Sequence, residues 1–390
     1  MSNKWSSQRV NGIKLSEIRA VFTKVEEARS KGIHVTNFSI GRPDFDTPKH
    51  IKKAAQEALE SGLVHYTASA GIAPLREAIC RRLEEDFGLQ IQADEVIVSS
   101  GATEAIYIAL QSVLNPGDEV IVPEPMYVYY AGWSHLGESK CVSIPLCEKD
   151  GFLLKAERLK DYISEKTRVL ILNSPNNPTG QVYRKEDLLE IAKLAVEHDF
   201  LVISDDIYHH MVYDDLEYFP IAKAPGMKER TLIIGSFSKS YAMDGWRIGY
   251  LAAPRAIIAD AIKIHQHIVS CPNTFVQHGA KSALTASQEC VKQMVAEFDR
   301  RRKLLISCMN DMDMPCVRPQ GAFYAFPAIK KYGMTSQGFA DFLLTEAQVA
   351  VVPGDAFGES GEGHVRISYS IPYEEIEKGM ERVAEAIKKL

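Results

Sequence analysis

Ser236-Phe237-Ser238-Lys239-Ser240, with Arg247 shortly after, holds the residue types best suited to chemistry. The apolar run Thr231-Leu232-Ile233-Ile234 leads into it. That order suits a lysine at the end of a buried strand, beside an anion pocket. An amine there can form a Schiff base with a carbonyl group, while serine hydroxyls and a guanidinium hold a phosphate. A lone lysine is more commonly a solvated surface group, so the other polar segments must decide between the two.

Those segments recur at the ends of apolar runs. Ser100-Gly101-Ala102-Thr103 follows one run and opens a helix, where backbone N–H groups attract phosphate. It lacks the G-K-[ST] of a Walker loop and the G-x-G-x-x-G of a dinucleotide site. Pro125-Met126-Tyr127-Val128-Tyr129-Tyr130 offers an aromatic that could stack on a planar ring or simply pack. Asn173 to Gly180 has turn composition, yet an asparagine side chain there can donate to a phenolate oxygen. Asp205-Asp206-Ile207-Tyr208 places carboxylates where burial is costly without a cation, such as a protonated pyridine ring. Arg366, in Val365-Arg366-Ile367-Ser368-Tyr369, suits a bidentate clamp on a carboxylate.

The elements that must position these groups alternate along the chain. Strands are expected at 95–99, 119–122, 169–172, 200–204 and 231–234, with a helix starting near Thr47 and ending just before Gly62, and helices over 74–86, 104–114 and 184–198. Thr47 is expected to cap the first of these helices. Short apolar runs separated by helices indicate a mostly parallel sheet covered on both faces, an α/β fold. In such sheets ligands bind beyond the carboxyl ends of the strands, where the polar segments lie. After Leu284 the texture changes to a long helix over 288–311, strands at 322–326, 349–352 and 364–369, and a closing amphipathic helix, a smaller α+β unit. The division expected is a large domain at 47–285 and a small one from 1–46 and 286–390, with an N-terminal arm.

A formal net charge of −6 disfavours a surface that tracks nucleic-acid phosphates. Seven cysteines without C-x-x-C spacing argue against a disulfide framework or a zinc site, and no metal is expected. No apolar stretch approaches the roughly 18 residues of a membrane span, and Met1 to Val10 lacks the core of a signal peptide. A cytoplasmic protein is the expectation.

Taken together, these segments resemble the class I/II aminotransferases, of the fold-type I family that uses pyridoxal 5'-phosphate. The resemblance runs from Gly41-Arg42-Pro43-Asp44-Phe45 to Arg366 with the motifs in order; the lysine segment and Asn176-Asn177-Pro178-Thr179-Gly180 are the specific signals. It implies an aspartate aminotransferase-like fold with a seven-stranded sheet, and Lys239 as the Schiff-base lysine and proton shuttle. Ser236, Ser238, Arg247 and the backbone at Gly101, Ala102 and Thr103 would hold the cofactor phosphate. Ala102-Thr103 departs from the Gly-Gly or Gly-Thr common in relatives, but the backbone donors remain. Tyr127 would stack on the ring, Asp205 would pair with its nitrogen, and Asn177 and Tyr208 would bond its phenolic oxygen. Arg366, Asn177 and the backbone at Gly41 would hold the substrate, and Tyr66 would reach the partner subunit's phosphate in a homodimer.

The reaction implied transfers an amino group between an α-amino acid and a 2-oxo acid, leaving aspartate, an aromatic amino acid and alanine open as donors. The alternatives are a C–S β-lyase on the same scaffold, and an effector-binding module without catalysis. The latter accompanies a DNA-binding domain in transcription regulators, and the matching region begins too near residue 40 for one.

Overall fold

The computed structural model describes residues 4–13, 15 and 17–390. Its centre is a seven-stranded sheet. The strands are β1 (Val96–Ser99), β2 (Glu119–Glu124), β3 (Lys140–Pro145), β4 (Thr167–Asn173), β5 (Leu201–Asp205), β6 (Thr231–Ser236) and β7 (Gly249–Ala252). They lie in the order β1-β7-β6-β5-β4-β2-β3. All neighbours are parallel except β7, which is antiparallel to β1 and β6. Parallel strands need crossover helices, and these bury the sheet on both sides. Lys185–Glu197 packs one face with Leu188, Ile191 and Ala195; Ala102–Val113 packs the other with Ile106, Ala109 and Leu110. A buried side chain of this size is worth about 1.5–3 kcal/mol.

Register sets up the site. Asn173 on β4 lies opposite Asp205 on β5, and Asp205 opposite Ile234 on β6. The carboxyl ends of three adjacent strands are therefore level, and Ser236 and Lys239 follow directly from the third.

A separate core gathers the helices Glu289–Asp311 and Tyr373–Ile387 against a three-stranded antiparallel sheet of Tyr324–Ala325, Val365–Ser368 and Val352–Pro353. Ile376, Met380 and Val383 form the buried stripe of the last helix. Thr36–Asn37 pairs in parallel with Val349–Ala350, and the helix Glu17–Ser30 packs Val21 and Val25 beside that pairing. Among the described residues no helix is long and apolar enough to cross a membrane.

Thr47 does not cap the helix that follows it. That helix is Lys49–Glu60 with Pro48 at its N-cap, and Thr47 Oγ1 instead donates to Ala242 O at 2.6 Å and accepts from Trp246 Nε1. The threonine thus tethers the loop beyond Lys239. Strands β3 and β7 escaped the sequence reading. β3 is a partly exposed edge without a continuous apolar run, and β7 is only four residues long.

Candidate active site

The carboxyl ends of β4, β5 and β6 open into a cavity of about 630 Å³. Lys239 lies in the turn after β6, half-buried, and its Nζ donates to Gly41 O at 2.6 Å. Burial drives the lysine down to about 8; Arg366 and Arg247 repel its charge, while Asp244 and Asp205 oppose the shift. A fraction of such an amine is neutral, and so nucleophilic, near neutral pH.

Asp205 ends β5 and is buried. Burial pushes it up to about 7; the Tyr130 hydroxyl, donating to Oδ2 at 2.5 Å, pulls the other way. Oδ1 is buried with no hydrogen-bond partner. An orphaned carboxylate oxygen facing a cavity is costly unless a ligand donor meets it. Asp206, the first residue beyond β5, is turned away from the cavity, and its Oδ1 accepts from Ser204 Oγ and Tyr218 Oη at 2.6 Å each. Packing therefore separates two carboxylates that are adjacent in sequence.

Arg366 is fully buried on Val365–Ser368, not facing solvent. Its Nη1 donates to Asn177 Oδ1 at 3.0 Å and its Nη2 to Ser39 O at 2.7 Å, while Nε lacks a partner. The guanidinium lies 4.6 Å from the Tyr324 ring centre. Asn177 is fixed by its own N–H, which donates to Asn173 Oδ1 at 2.8 Å. Tyr208 Oη and Tyr324 Oη are 2.9 Å apart, and burial holds the Tyr208 phenol well above its ordinary range. A Cβ on Gly41 would come within 3.0 Å of Tyr324 Oη, so only a bare backbone fits comfortably beside the arginine.

At the other end of the cavity Gly101 precedes the helix Ala102–Val113, whose first N–H groups have no helical acceptor. Gly101 has φ +86°, and a Cβ there would lie 2.5 Å from Arg247 Nη2. Ser236 and Ser238 lie alongside, linked by Ser238 N donating to Ser236 Oγ at 3.1 Å. Helix N-terminus, hydroxyls and guanidinium form an anion cradle. Tyr127 also lines the cavity, edge-on to Tyr129 and Tyr130.

All the site residues expected from the sequence line this cavity except Gly101, which immediately precedes Ala102, and Tyr66. Tyr66 is 90 % exposed and lies in a second cleft with Cys271 and Thr274. Five participants were missed. Tyr130 bonds Asp205, Tyr324 bonds Tyr208, Asn173 holds Asn177, and the helix Glu17–Ser30 brings Arg19 and Phe22 to the cavity mouth. Only Tyr130, in the same aromatic run as Tyr127, carried a usable signal.

The donor set fits pyridoxal phosphate. The orphaned Asp205 oxygen suits a protonated ring nitrogen, the cradle suits the phosphate, and the depressed lysine suits the aldehyde. Site and fold together define a pyridoxal-phosphate enzyme. The family described as Aminotransferase class I and II matches residues 33–383. The chain is 45% identical over 385 residues to an aspartate aminotransferase of Pyrococcus abyssi, covering 98% of each. It is 42% identical to an aromatic-amino-acid aminotransferase 2 of Thermococcus litoralis, again with 98% of each covered. Its structure resembles an aromatic aminotransferase of Pyrococcus horikoshii OT3 (TM-score 0.90, 46% identity, 95% of this chain and 99% of that one). It also resembles a Thermus thermophilus aspartate aminotransferase with maleate (TM-score 0.93, 38% identity, 99% and 100%). The chain belongs to the class I and II aminotransferases and is a pyridoxal-phosphate-dependent enzyme that moves an amino group between an α-amino acid and a 2-oxo acid.

Proposed function

We propose that Lys239 is the amine that holds the cofactor and moves the substrate's Cα proton. The observation carrying this is a half-buried amine, lowered to about 8, in one cavity with the orphaned Asp205 oxygen and the buried Arg366. When bound, pyridoxal phosphate supplies a carbon that takes the amino group and a ring that accepts the electrons of the broken Cα–H bond. Asp205 Oδ1 accepts from the ring nitrogen and keeps it protonated. Tyr127 would stack on the ring, and Asn177 and Tyr208 would donate to the phenolic oxygen. Ser236, Ser238, Arg247 and the backbone N–H groups at Gly101, Ala102 and Thr103 hold the phosphate. Arg366 takes the α-carboxylate bidentately, exchanging its bonds to Asn177 and Ser39, beside the backbone at Gly41. That grip would fix the orientation of the substrate's Cα–H bond so that Lys239 can take its proton. A positioned general base of this kind contributes about 10²–10⁴-fold.

The working form we infer is a homodimer in the cytoplasm. Exposed Tyr66 then meets the phosphate of the partner's site, and residues 47–285 act as the cofactor domain against 1–46 with 286–390. For the donor, we infer that both acidic and aromatic side chains are used. Support comes from Arg19 and Phe22 at the cavity mouth, and from relatives named for aspartate and for aromatic amino acids. The test is kcat/KM of Arg19→Ala with aspartate and with phenylalanine. Aspartate should lose about tenfold, the equivalent of roughly 1.4 kcal/mol, while phenylalanine is nearly unchanged. Equal effects on both donors would remove Arg19 from side-chain recognition.

A further inference from the structure

Outside the cavity, Asp86, His209 and His210 converge. Asp86 ends its turn of the helix Ala73–Phe87; the histidines follow Tyr208 in the turn after β5. One ligand atom from each residue lies within 4.8 Å of the other two. We propose that these three side chains bind one divalent transition-metal ion of the zinc or cobalt type.

Hydrogen-bond directions carry the argument. His209 Nδ1 lies 2.7 Å from Asp206 O, and a carbonyl only accepts, so Nδ1 carries the hydrogen. A neutral His209 then turns its Nε2 lone pair toward Asp86 Oδ2, 3.4 Å away. Two lone pairs facing each other repel unless a cation sits between them. His210 Nε2 is 3.0 Å from the same oxygen, and its Nδ1 is 3.0 Å from Ser240 Oγ. Both imidazoles thus have their outer nitrogen tied to a partner, which is how ligating histidines are oriented. A tetrahedral ion with bonds of about 2.0 Å separates its ligand atoms by about 3.3 Å, and the observed 3.0 and 3.4 Å bracket that spacing.

The surrounding groups agree. Arg82 Nη1 is 3.5 Å from Asp86 Oδ1, the oxygen not turned to the histidines, so it leaves Oδ2 available. The three side chains are 13–20% exposed, enough for an ion and its remaining water ligands to enter. Two imidazoles and one carboxylate favour borderline ions over magnesium or calcium. The ion would brace the turn carrying Tyr208, because its ligands hold Asp206 and Ser240, the neighbours of Asp205 and Lys239. The sequence did not suggest this set, since His209 and Asp86 are 123 positions apart.

A proton on His209 is the rival occupant of the gap, and the holoenzyme distinguishes the two. Titration with Co²⁺ should show one equivalent bound per chain, with visible ligand-field bands, by absorbance and calorimetry. Asp86→Asn, nearly isosteric, should abolish the bands and weaken binding at least tenfold; His210→Gln should do the same. Absence of stoichiometric binding in the parent enzyme would overturn the proposal. So would unchanged affinity in Asp86→Asn, which decides the matter even if His210→Gln fails to fold.

Discussion

Tyr130→Phe removes one oxygen and leaves the ring packed against Tyr127 and Trp133. That oxygen donates to Asp205 Oδ2 at 2.5 Å, in a site where both side chains are buried and water cannot replace the bond. A hydrogen bond to a charged group is worth about 1.5–3 kcal/mol, or about one to two pKa units. The bond favours ionised Asp205, so its loss moves the carboxyl upward from about 7. At pH 7 the ionised fraction falls from about one half to between about one tenth and one hundredth. Because only the ionised form pairs with a protonated ring, affinity for pyridoxamine 5'-phosphate should fall by about 5- to 50-fold at pH 7. This ligand avoids the covalent link to Lys239, so the titration reads the ion pair. At pH 9 the gap between variant and parent should narrow. Unchanged affinity at pH 7, or a deficit independent of pH, would refute the coupling of Tyr130 to Asp205.

The same carboxyl makes stability depend on pH. With a folded pKa of about 7 against 3.8, folded Asp205 binds its proton more tightly than the unfolded chain does. Its contribution is complete below pH 3.8 and is lost as pH rises through 7. Cofactor-free Asp205→Asn should therefore gain on the parent by about 2–3 kcal/mol between pH 5 and pH 8, read as Tm; a flat difference would contradict the burial argument. Gly101→Ala must push Arg247 aside at a φ of +86°, so phosphate-bearing cofactor should bind at least tenfold more weakly while phosphate-free pyridoxal is less affected. Equal losses for both would show a general folding defect.

Five strands of the large sheet were legible because they are short apolar runs buried in the sheet, and β4, β5 and β6 end in polar residues that line the cavity. Lys239, Asp205 and Arg366 could be placed because each is a charged residue beside an apolar run, where burial needs a reason. Other features depended on distant contacts. Tyr324 and Arg19 reach the site from other elements, and Thr47 prefers Ala242 O to its own helix. The difference between Asp205 and Asp206 lies in direction: Asp205 ends β5 and lines the cavity, while Asp206, the next residue, turns to Ser204 and Tyr218. Tyr66 is exposed in the single chain and lies apart from the cavity.

The central claim concerns one side chain, and borohydride reduction of the holoenzyme followed by peptide mapping tests it most directly. A single stable cofactor adduct on Lys239 is the expected result, absent from Lys239→Ala together with its activity. An adduct on any other residue, or none, would contradict the account.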